Sequence, residues 1–227
     1  MPASVLKDAE KFLSDAIDEV TDEIGFVPED GSYREYMDQL MRDTRHQLGE
    51  GVLEKYKDFV KKTPGWVDGS TGLGVDSLTS RSPLYNLIDF KETKYLKKII
   101  KNAHLDFMQE LNLTIEDNLY IQCWANVMRK GDKIKKHFHS INNYDYLSGH
   151  ICIQTTNTNT YYLEPYHKEK FILKNNPGNI TLFPSWVEHF TDEVLDNKER
   201  ITIAFDLRDT NSMQDVYPHM KQHWSKI

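Results

Sequence analysis

The sequence predicts an α+β protein, mainly β, in which a helical N-terminal half packs on a β-sandwich or barrel. Apolar residues recur at steps of three and four along the first half, which is the period of a helix, and at steps of two from Asn118 onward, which is the period of a strand. At 227 residues the chain fits one large domain. We expect a single domain over residues 1–227 that consists of a mainly helical part (1–113), a β core (114–210) and a C-terminal tail (211–227).

Helical spacing is clearest in two stretches of the first half. Between residues 4 and 62 apolar residues recur three or four positions apart, with repeats of the pattern over 33–48 and 53–59. A turn-rich segment with several glycines, 63–74, separates this part from the next. Over residues 93–111 one apolar stripe runs along the predicted helix, so we expect this helix to pack on the sheet that follows.

The second half contains short runs of alternating or β-branched residues, separated by Gly, Asn, Asp and Pro. The runs that we interpret as strands cover residues 119–128, 134–139, 146–155, 161–164, 170–173, 179–183 and 200–207. Strands of this number and spacing are typical of an all-β sandwich or barrel.

Composition and charge exclude several classes of function. The net charge is −7, which argues against bulk binding of nucleic acid because such proteins present a basic face. No apolar run approaches membrane-spanning length, and the acidic N-terminal residues lack the pattern of a secretion signal. Cys123 and Cys152 lie inside predicted strands, where buried thiols are expected. We therefore expect a cytoplasmic protein without nucleic-acid or membrane partners.

Three histidines have the spacing of a metal site. His137 and His139 are two residues apart, so on a strand both imidazoles point to the same face. His189 would supply a third ligand from a distant part of the β core. Arg200, in the strand after it, could hold a carboxylate beside the metal, and Thr202 lies on the same face. This is the layout of a non-haem iron site with an acidic co-substrate.

Four blocks of sequence extend this pattern. They are HFH at 137–139, LSGH at 147–150, GNITLFPSW at 178–186 followed by His189, and RITIAF at 200–205. In this order the blocks resemble the small 2-oxoglutarate- and iron(II)-dependent oxygenases with H-x-H, lSG, FPS-x-x-x-H and R-x-x-x-A-F motifs. The resemblance covers residues 118–207 and implies a double-stranded β-helix, or jelly roll, with iron(II) at its mouth.

The resemblance also implies a reaction and a set of residues. Such a dioxygenase uses O2 to hydroxylate a second substrate, either a metabolite or a protein side chain, while 2-oxoglutarate is decarboxylated to succinate. The residues implied for the metal are His137, His139 and His189. Those implied for the co-substrate are Arg200, Thr202 and Asn126.

One ligand position departs from the wider superfamily. Most members have His-x-Asp or His-x-Glu followed by a distal histidine, and the carboxylate position here is His139. Three ligand sets are open: three histidines, two histidines with water in the third place, or a set in which Asp145 supplies the carboxylate. A neutral set of three imidazoles would leave more positive charge on the metal and would favour an anionic oxoacid.

Two other functions fit parts of the sequence. A cupin-type jelly roll would bind zinc, manganese or nickel without 2-oxoglutarate, but it has no need of Arg200. A non-catalytic module would bind a partner through its helical part. That part is expected to cap the barrel, with a homodimer interface or a substrate clamp as alternatives. His150, which shares a predicted strand face with Ser148, is a further candidate pocket residue.

Overall fold

The computed structural model describes residues 50–62, 78–79, 86–115, 118–139, 147–164, 169–214 and 216–227. These residues form two antiparallel sheets, and two helices lie against the larger sheet. The strands are β1 (Leu78–Thr79), β2 (Tyr120–Met128), β3 (Leu147–Gln154), β4 (Asn159–Leu163), β5 (Lys170–Lys174), β6 (Ile180–Pro184), β7 (His189–Thr191), β8 (Arg200–Arg208) and β9 (Ser225–Lys226). The helices are α1 (Glu50–Lys62), α2 (Lys94–Glu110) and the short α3 (Pro218–Lys221).

Strand β8 lies at the centre of the larger sheet. The order of that sheet is β1-β2-β8-β3-β6, with β9 also paired to β2, and the smaller sheet has the order β5-β4-β7. β2 and β8 pair from Tyr120 opposite Arg208 to Met128 opposite Arg200. β3 pairs with the other edge of β8 and has an irregularity in register after Cys152. Residues of β8 are therefore fixed by hydrogen bonds from both sides.

Side chains alternate between the two faces of the larger sheet. On β8, Ile201, Ile203 and Phe205 join a hydrophobic core that includes residues of α1 and α2. Arg200 and Thr202 point to the opposite face, where they line a cavity. Two threonines of β4 and β7 line the same cavity from the smaller sheet. The cavity therefore lies between the two sheets.

The helices cover the outer face of the larger sheet. Leu96 and Ile100 of α2 are four residues apart and both are buried in the hydrophobic core. α1 adds Leu53, Tyr56 and Val60, again at steps of three and four. Both helices therefore bury one apolar stripe against the outer face of the sheet, and the cavity lies on the opposite face.

The predicted elements are confirmed where the apolar period is long. The helix expected over 93–111 is α2, and all the predicted strands except one overlap β2, β3, β4, β5, β6 or β8. The exception, 134–139, is wrong: it makes a single bridge, between His137 and His189. The N–H of Ile134 donates to the Thr191 hydroxyl at 3.0 Å, and the N–H of Thr191 donates to the carbonyl of Ile134 at 3.1 Å. A ladder continued from the His137–His189 bridge would pair Thr191 with Lys135 instead, so the register is broken.

The helical N-terminal half is not confirmed as a whole. α1 contains the predicted stretch 53–59, whereas the helices expected over residues 4–49 and the turn-rich segment 63–74 lie outside the described residues. Three short strands, β1, β7 and β9, were not expected from the sequence pattern. No helix in the described part of the chain combines the length and hydropathy that a membrane span needs.

Candidate functional site

The three predicted ligand histidines lie together between the two sheets. His189 begins β7, and the N–H groups of His137 and His189 each donate to the other residue's carbonyl oxygen, at 3.1 and 2.8 Å. The N–H of His139 donates to the carbonyl of Ser185 at 2.9 Å. One ring nitrogen from each histidine lies within 4.8 Å of the others, so the set can share one metal ion. Asp145, the alternative carboxylate, lies outside the described residues.

Two of the imidazoles have Nδ1 bonded to a backbone carbonyl. Nδ1 of His137 donates to the carbonyl of Lys135 at 2.8 Å, and Nδ1 of His189 donates to that of Val187 at 3.0 Å. Because a carbonyl oxygen only accepts, the proton of each neutral ring lies on Nδ1 and Nε2 keeps its lone pair. Both rings are therefore in the tautomer that binds a metal through Nε2.

The surroundings of His189 keep its ring uncharged. Its pKa lies well below the usual value because the ring is desolvated and because His137 and His139 lie beside it. Phe183 and Tyr162 flank the ring, with centroids 4.7 and 5.9 Å away. A neutral imidazole is the form that a metal binds, and the aromatic wall limits the access of water to it.

Behind the third imidazole lies a carboxylate that the sequence pattern did not single out. Asp206 Oδ1 accepts hydrogen bonds from Nδ1 of His139 at 2.5 Å and from the Ser148 hydroxyl at 2.7 Å. Asp206 is 2% exposed. The signal that could have found it is the alternation of β8, which puts Asp206 on the same face as Arg200 and Thr202. His139 is thus held in the same tautomer as the other two, but by a charged group.

Arg200 is buried and lines the same cavity as the three histidines. Its side chain is 2% exposed, and its pKa is lowered by desolvation. Nη1 donates to Met128 Sδ at 3.4 Å and Nη2 donates to the Thr160 hydroxyl at 3.3 Å, and among the residues that the structure describes Nε has no hydrogen-bond partner. Within the described part of the chain no carboxylate forms an ion pair with this guanidinium. A charge buried in this way is costly unless an anion joins it.

Two buried polar residues hold the guanidinium in place. The Thr160 hydroxyl, which accepts from Arg200, donates to Asn175 Oδ1 at 2.9 Å. Asn175 Nδ2 in turn donates to the carbonyl of Thr158, also at 2.9 Å. Neither Thr160 nor Asn175 was predicted as a site residue, since threonine and asparagine at strand ends are equally common in surface turns.

The other polar residues predicted for the site also line the cavity. Asn126 and Thr202 are cross-strand neighbours on β2 and β8, and both line the cavity with Arg200. His150 lines it from β3. Burial, and after it the charge of Arg200, lowers the pKa of His150 to about 3, so at neutral pH this ring is an uncharged hydrogen-bonding group. The cavity therefore offers one cation and several neutral polar groups.

Solved structures of low sequence identity share this fold. An oxidoreductase of the 2OG-Fe(II) oxygenase family from Burkholderia pseudomallei is 16% identical, with a TM-score of 0.57, and the match covers 80% of this chain and 93% of that one. A prolyl-4-hydroxylase from Pseudomonas putida is 11% identical, with a TM-score of 0.57 and coverages of 78% and 96%. A prolyl hydroxylase from Trichoplax adhaerens, in complex with a hypoxia inducible factor peptide, is 8% identical, with a TM-score of 0.59 and coverages of 96% and 98%. These likenesses show the fold, which is the double-stranded β-helix that the resemblance implied.

A sequence comparison matches one segment of the chain. Residues 149–206 match a family model described as "Putative 2OG-Fe(II) oxygenase". The matched segment contains His189 and Arg200 and ends at Asp206, while His137 and His139 precede it. No curated protein sequence matches the chain. Over this segment the family match confirms the resemblance seen in the motifs.

Proposed function

We propose that the chain is a cytoplasmic dioxygenase that hydroxylates a second substrate while it converts 2-oxoglutarate to succinate and carbon dioxide, one atom of O2 entering each organic product. Iron(II), when bound, supplies the centre at which 2-oxoglutarate is chelated and O2 is reduced. The residues proposed to hold the iron are His137, His139 and His189. Those proposed to hold the co-substrate are Arg200, Thr202 and Asn126. Cys123 and Cys152, both buried free thiols, support a reducing compartment.

The observation that carries the proposal is the buried guanidinium of Arg200. A sulfur atom and a neutral hydroxyl accept two of its hydrogen bonds, and neither offsets a positive charge removed from water. A ligand carboxylate would offset it, and would give the N–H of Nε the partner that it lacks. A ligand that reaches from Arg200 to the three histidines needs an anionic group at each end. 2-Oxoglutarate has a carboxylate at one end and a chelating oxoacid at the other.

The other residues of the cavity fit the same ligand. Three neutral imidazoles leave the full charge of the metal to attract the oxoacid. The Thr160 and Asn175 side chains fix the direction of the Arg200 guanidinium before the ligand arrives, so less ordering accompanies binding. A jelly roll that uses a metal alone has no need of such a buried cation, and this distinguishes the proposal from a cupin-type function.

Anaerobic titration of the iron(II)-loaded protein with 2-oxoglutarate tests the proposal. We expect the parent to develop the weak visible charge-transfer band of the chelate. Arg200→Met should lose about 2 to 4 kcal/mol of binding free energy, or roughly thirtyfold to nearly a thousandfold in Kd, and Arg200→Lys should recover only part of this loss because an ammonium is a point charge and not a fork. Iron(II) affinity without 2-oxoglutarate should hardly change.

The matched control is Arg208→Lys. Arg208 is on the same strand, but its guanidinium lies over the Trp224 ring at 4.4 Å and does not line the cavity. Its replacement should leave the affinity for 2-oxoglutarate at the parent value.

Urea unfolding of the ligand-free protein separates binding from folding. Because Arg200 is buried and forms no ion pair within the described part of the chain, we expect Arg200→Met to leave the free energy of unfolding unchanged or to raise it. An Arg200→Met variant that unfolds more easily but binds 2-oxoglutarate as the parent does would contradict the proposal, because Arg200 would then be structural. The absence of the band in the parent at saturating 2-oxoglutarate would contradict it as well.

A further inference from the structure

The charge of the candidate site balances only when Asp206 is counted with it. Three imidazole ligands would carry no charge, so a bound iron(II) would keep both of its positive charges and Arg200 would add another. A doubly charged oxoacid offsets two of the three. No acidic residue lines the cavity among the described residues, and the carboxylate of Asp206 lies directly behind His139. Because unbalanced charge is costly in an enclosed space, Asp206 is placed to offset the remaining positive charge.

The contact of Asp206 with His139 differs in kind from the contacts of the other two ligands. His137 and His189 donate to backbone carbonyls, whereas His139 donates to a carboxylate. A carboxylate accepts more strongly than a carbonyl and makes the opposite ring nitrogen a better metal ligand. The Ser148 hydroxyl lies 2.7 Å from the same carboxylate oxygen and 3.0 Å from Nδ1 of His139. Asp206 is thus held against the ring by more than one bond.

We infer that Asp206 is the positioning residue of this centre. It fixes His139 with Nε2 toward the metal, and it supplies from behind the ring the negative charge that an Asp or Glu ligand supplies in a His-x-Asp or His-x-Glu set. The identity of the metal rests on the proposed function. The tautomer that Asp206 imposes on His139 is a property of the metal-free protein and is measurable without any ligand.

The ring nitrogens of His139 in the metal-free protein give the first test. Nitrogen-15 NMR distinguishes a protonated ring nitrogen from a bare one, and the His139 signals are identified by their loss in His139→Ala. The parent is expected to carry a proton on Nδ1, because the Asp206 carboxylate beside that nitrogen only accepts. Asp206→Ala removes the acceptor, and in Asp206→Asn the amide group either accepts or donates, so both variants should show a mixture of tautomers. The His137 signals, held by a backbone carbonyl, serve as the internal reference.

Metal binding gives the second test. In an anaerobic iron(II) titration we expect Asp206→Asn and Asp206→Ala to bind about ten- to hundredfold more weakly than the parent. Asp192→Asn is the matched control, since the Asp192 carboxylate accepts hydrogen bonds from the Asn159 N–H and the Tyr161 hydroxyl and not from a ligand histidine. Its iron(II) affinity should equal that of the parent.

The two tests separate this inference from the proposed function. Parent-like tautomer and iron(II) affinity in both Asp206 variants would overturn the inference and leave the proposed function standing. An iron(II)-binding parent that gives no band with 2-oxoglutarate would overturn the proposed function, while mixed tautomers in the variants would still support the role of Asp206. If thermal unfolding shows that Asp206→Ala does not fold, Asp206→Asn, which has the same shape, decides the outcome.

Discussion

At the scale of single residues, each histidine proposed as a ligand is held in orientation by the group bonded to its Nδ1. Two of these groups are carbonyls of residues two positions earlier in the chain, Lys135 for His137 and Val187 for His189. These contacts are local, since each lies within three consecutive residues. The third group, Asp206, is 67 residues from His139 in the sequence and reaches it only through the sheet.

We predict that an aspartate at position 139, which is the commoner ligand type, binds iron(II) poorly unless Asp206 is also replaced. In His139→Asp two carboxylates would meet in a buried place, and their repulsion should weaken iron(II) binding relative to the parent. Asp206→Asn added to His139→Asp removes the repulsion, so the double variant should bind iron(II) about tenfold or more tightly than His139→Asp alone. Anaerobic titrations of the parent, both single variants and the double variant measure this coupling.

The reference for these titrations is His189→Ala, which removes a proposed ligand and should bind iron(II) only weakly. Equal affinity of His139→Asp with and without Asp206→Asn would show that the two carboxylates do not meet.

At the scale of elements, the close approach of β3 to its neighbours depends on one glycine. Gly149 lies opposite Phe205 of β8 and Leu182 of β6. A Cβ atom built at Gly149 would meet Phe205 Cζ at 2.5 Å and the carbonyl oxygen of Thr181 at 2.6 Å. The second of these contacts is with backbone, which cannot rotate away as a flexible side chain can. The strand that carries Ser148 and His150 therefore has room for hydrogen at this position and for nothing larger.

Gly149→Ala is accordingly expected to destabilise the protein. Overpacking against backbone should lower the free energy of unfolding by about 1 to 3 kcal/mol, measured by urea unfolding. Gly51→Ala is the control, since Gly51 lies in α1 with nothing within 4 Å of the added methyl group. It should raise the free energy of unfolding by up to about 1 kcal/mol, because alanine has the higher helix propensity. A Gly149→Ala variant as stable as the parent would contradict this prediction, because it would show that β3 and β6 can move apart without loss of stability.

At the scale of the whole molecule, the helices and the larger sheet share one hydrophobic core. The cluster includes Leu53 of α1, Ile100 of α2, Ile121 of β2 and Ile203 of β8. His104 of α2 is buried in the same region, at 2% exposure. Its pKa is lowered to about 4 because burial desolvates the charged ring, an effect that nearby Asp209 only partly offsets.

This buried histidine predicts a loss of stability in mild acid. The pKa of His104 is about 6.5 in the unfolded chain, so between the two pKa values the unfolded state binds more protons and stability falls as the pH falls. The contribution of the neutral His104 ring to the free energy of unfolding is fully present well above pH 6.5. It decreases by about 2 kcal/mol between roughly pH 7.5 and pH 5. Urea unfolding at both values should show a smaller decrease for His104→Gln than for the parent.

His150 and His189 also have lowered pKa values and contribute to the acid sensitivity of the parent. They are present in His104→Gln too, so the difference between the two proteins isolates His104. Identical pH dependence in both would show that His104 is accessible to protons in the folded state.

Two polar residues of the site, Arg200 and Thr202, were predictable because their residue type and the strand period agree. Arginine is the side chain best suited to a carboxylate, and the alternation of 200–207 puts Arg200 and Thr202 on one face whatever the sheet order. The strand expected over 134–139 was wrong, yet His137 and His139 still approach His189. Their backbone groups bond to two different partners, His189 and Ser185, and not to one continuous strand.

By itself the sequence determined six of the strands (β2, β3, β4, β5, β6 and β8), helix α2 and the residue types of the site, because periodicity and side-chain chemistry are local properties of the chain. Tertiary structure decided that Asp206 stands behind His139 and that Arg200 forms no ion pair with a carboxylate of the residues that the structure describes. Both facts depend on strand order and register, and a shift of one residue in register would turn every side chain of β8 to the opposite face. Pairing between distant strands is set by the packing of the whole sheet, so no local pattern in the sequence records it.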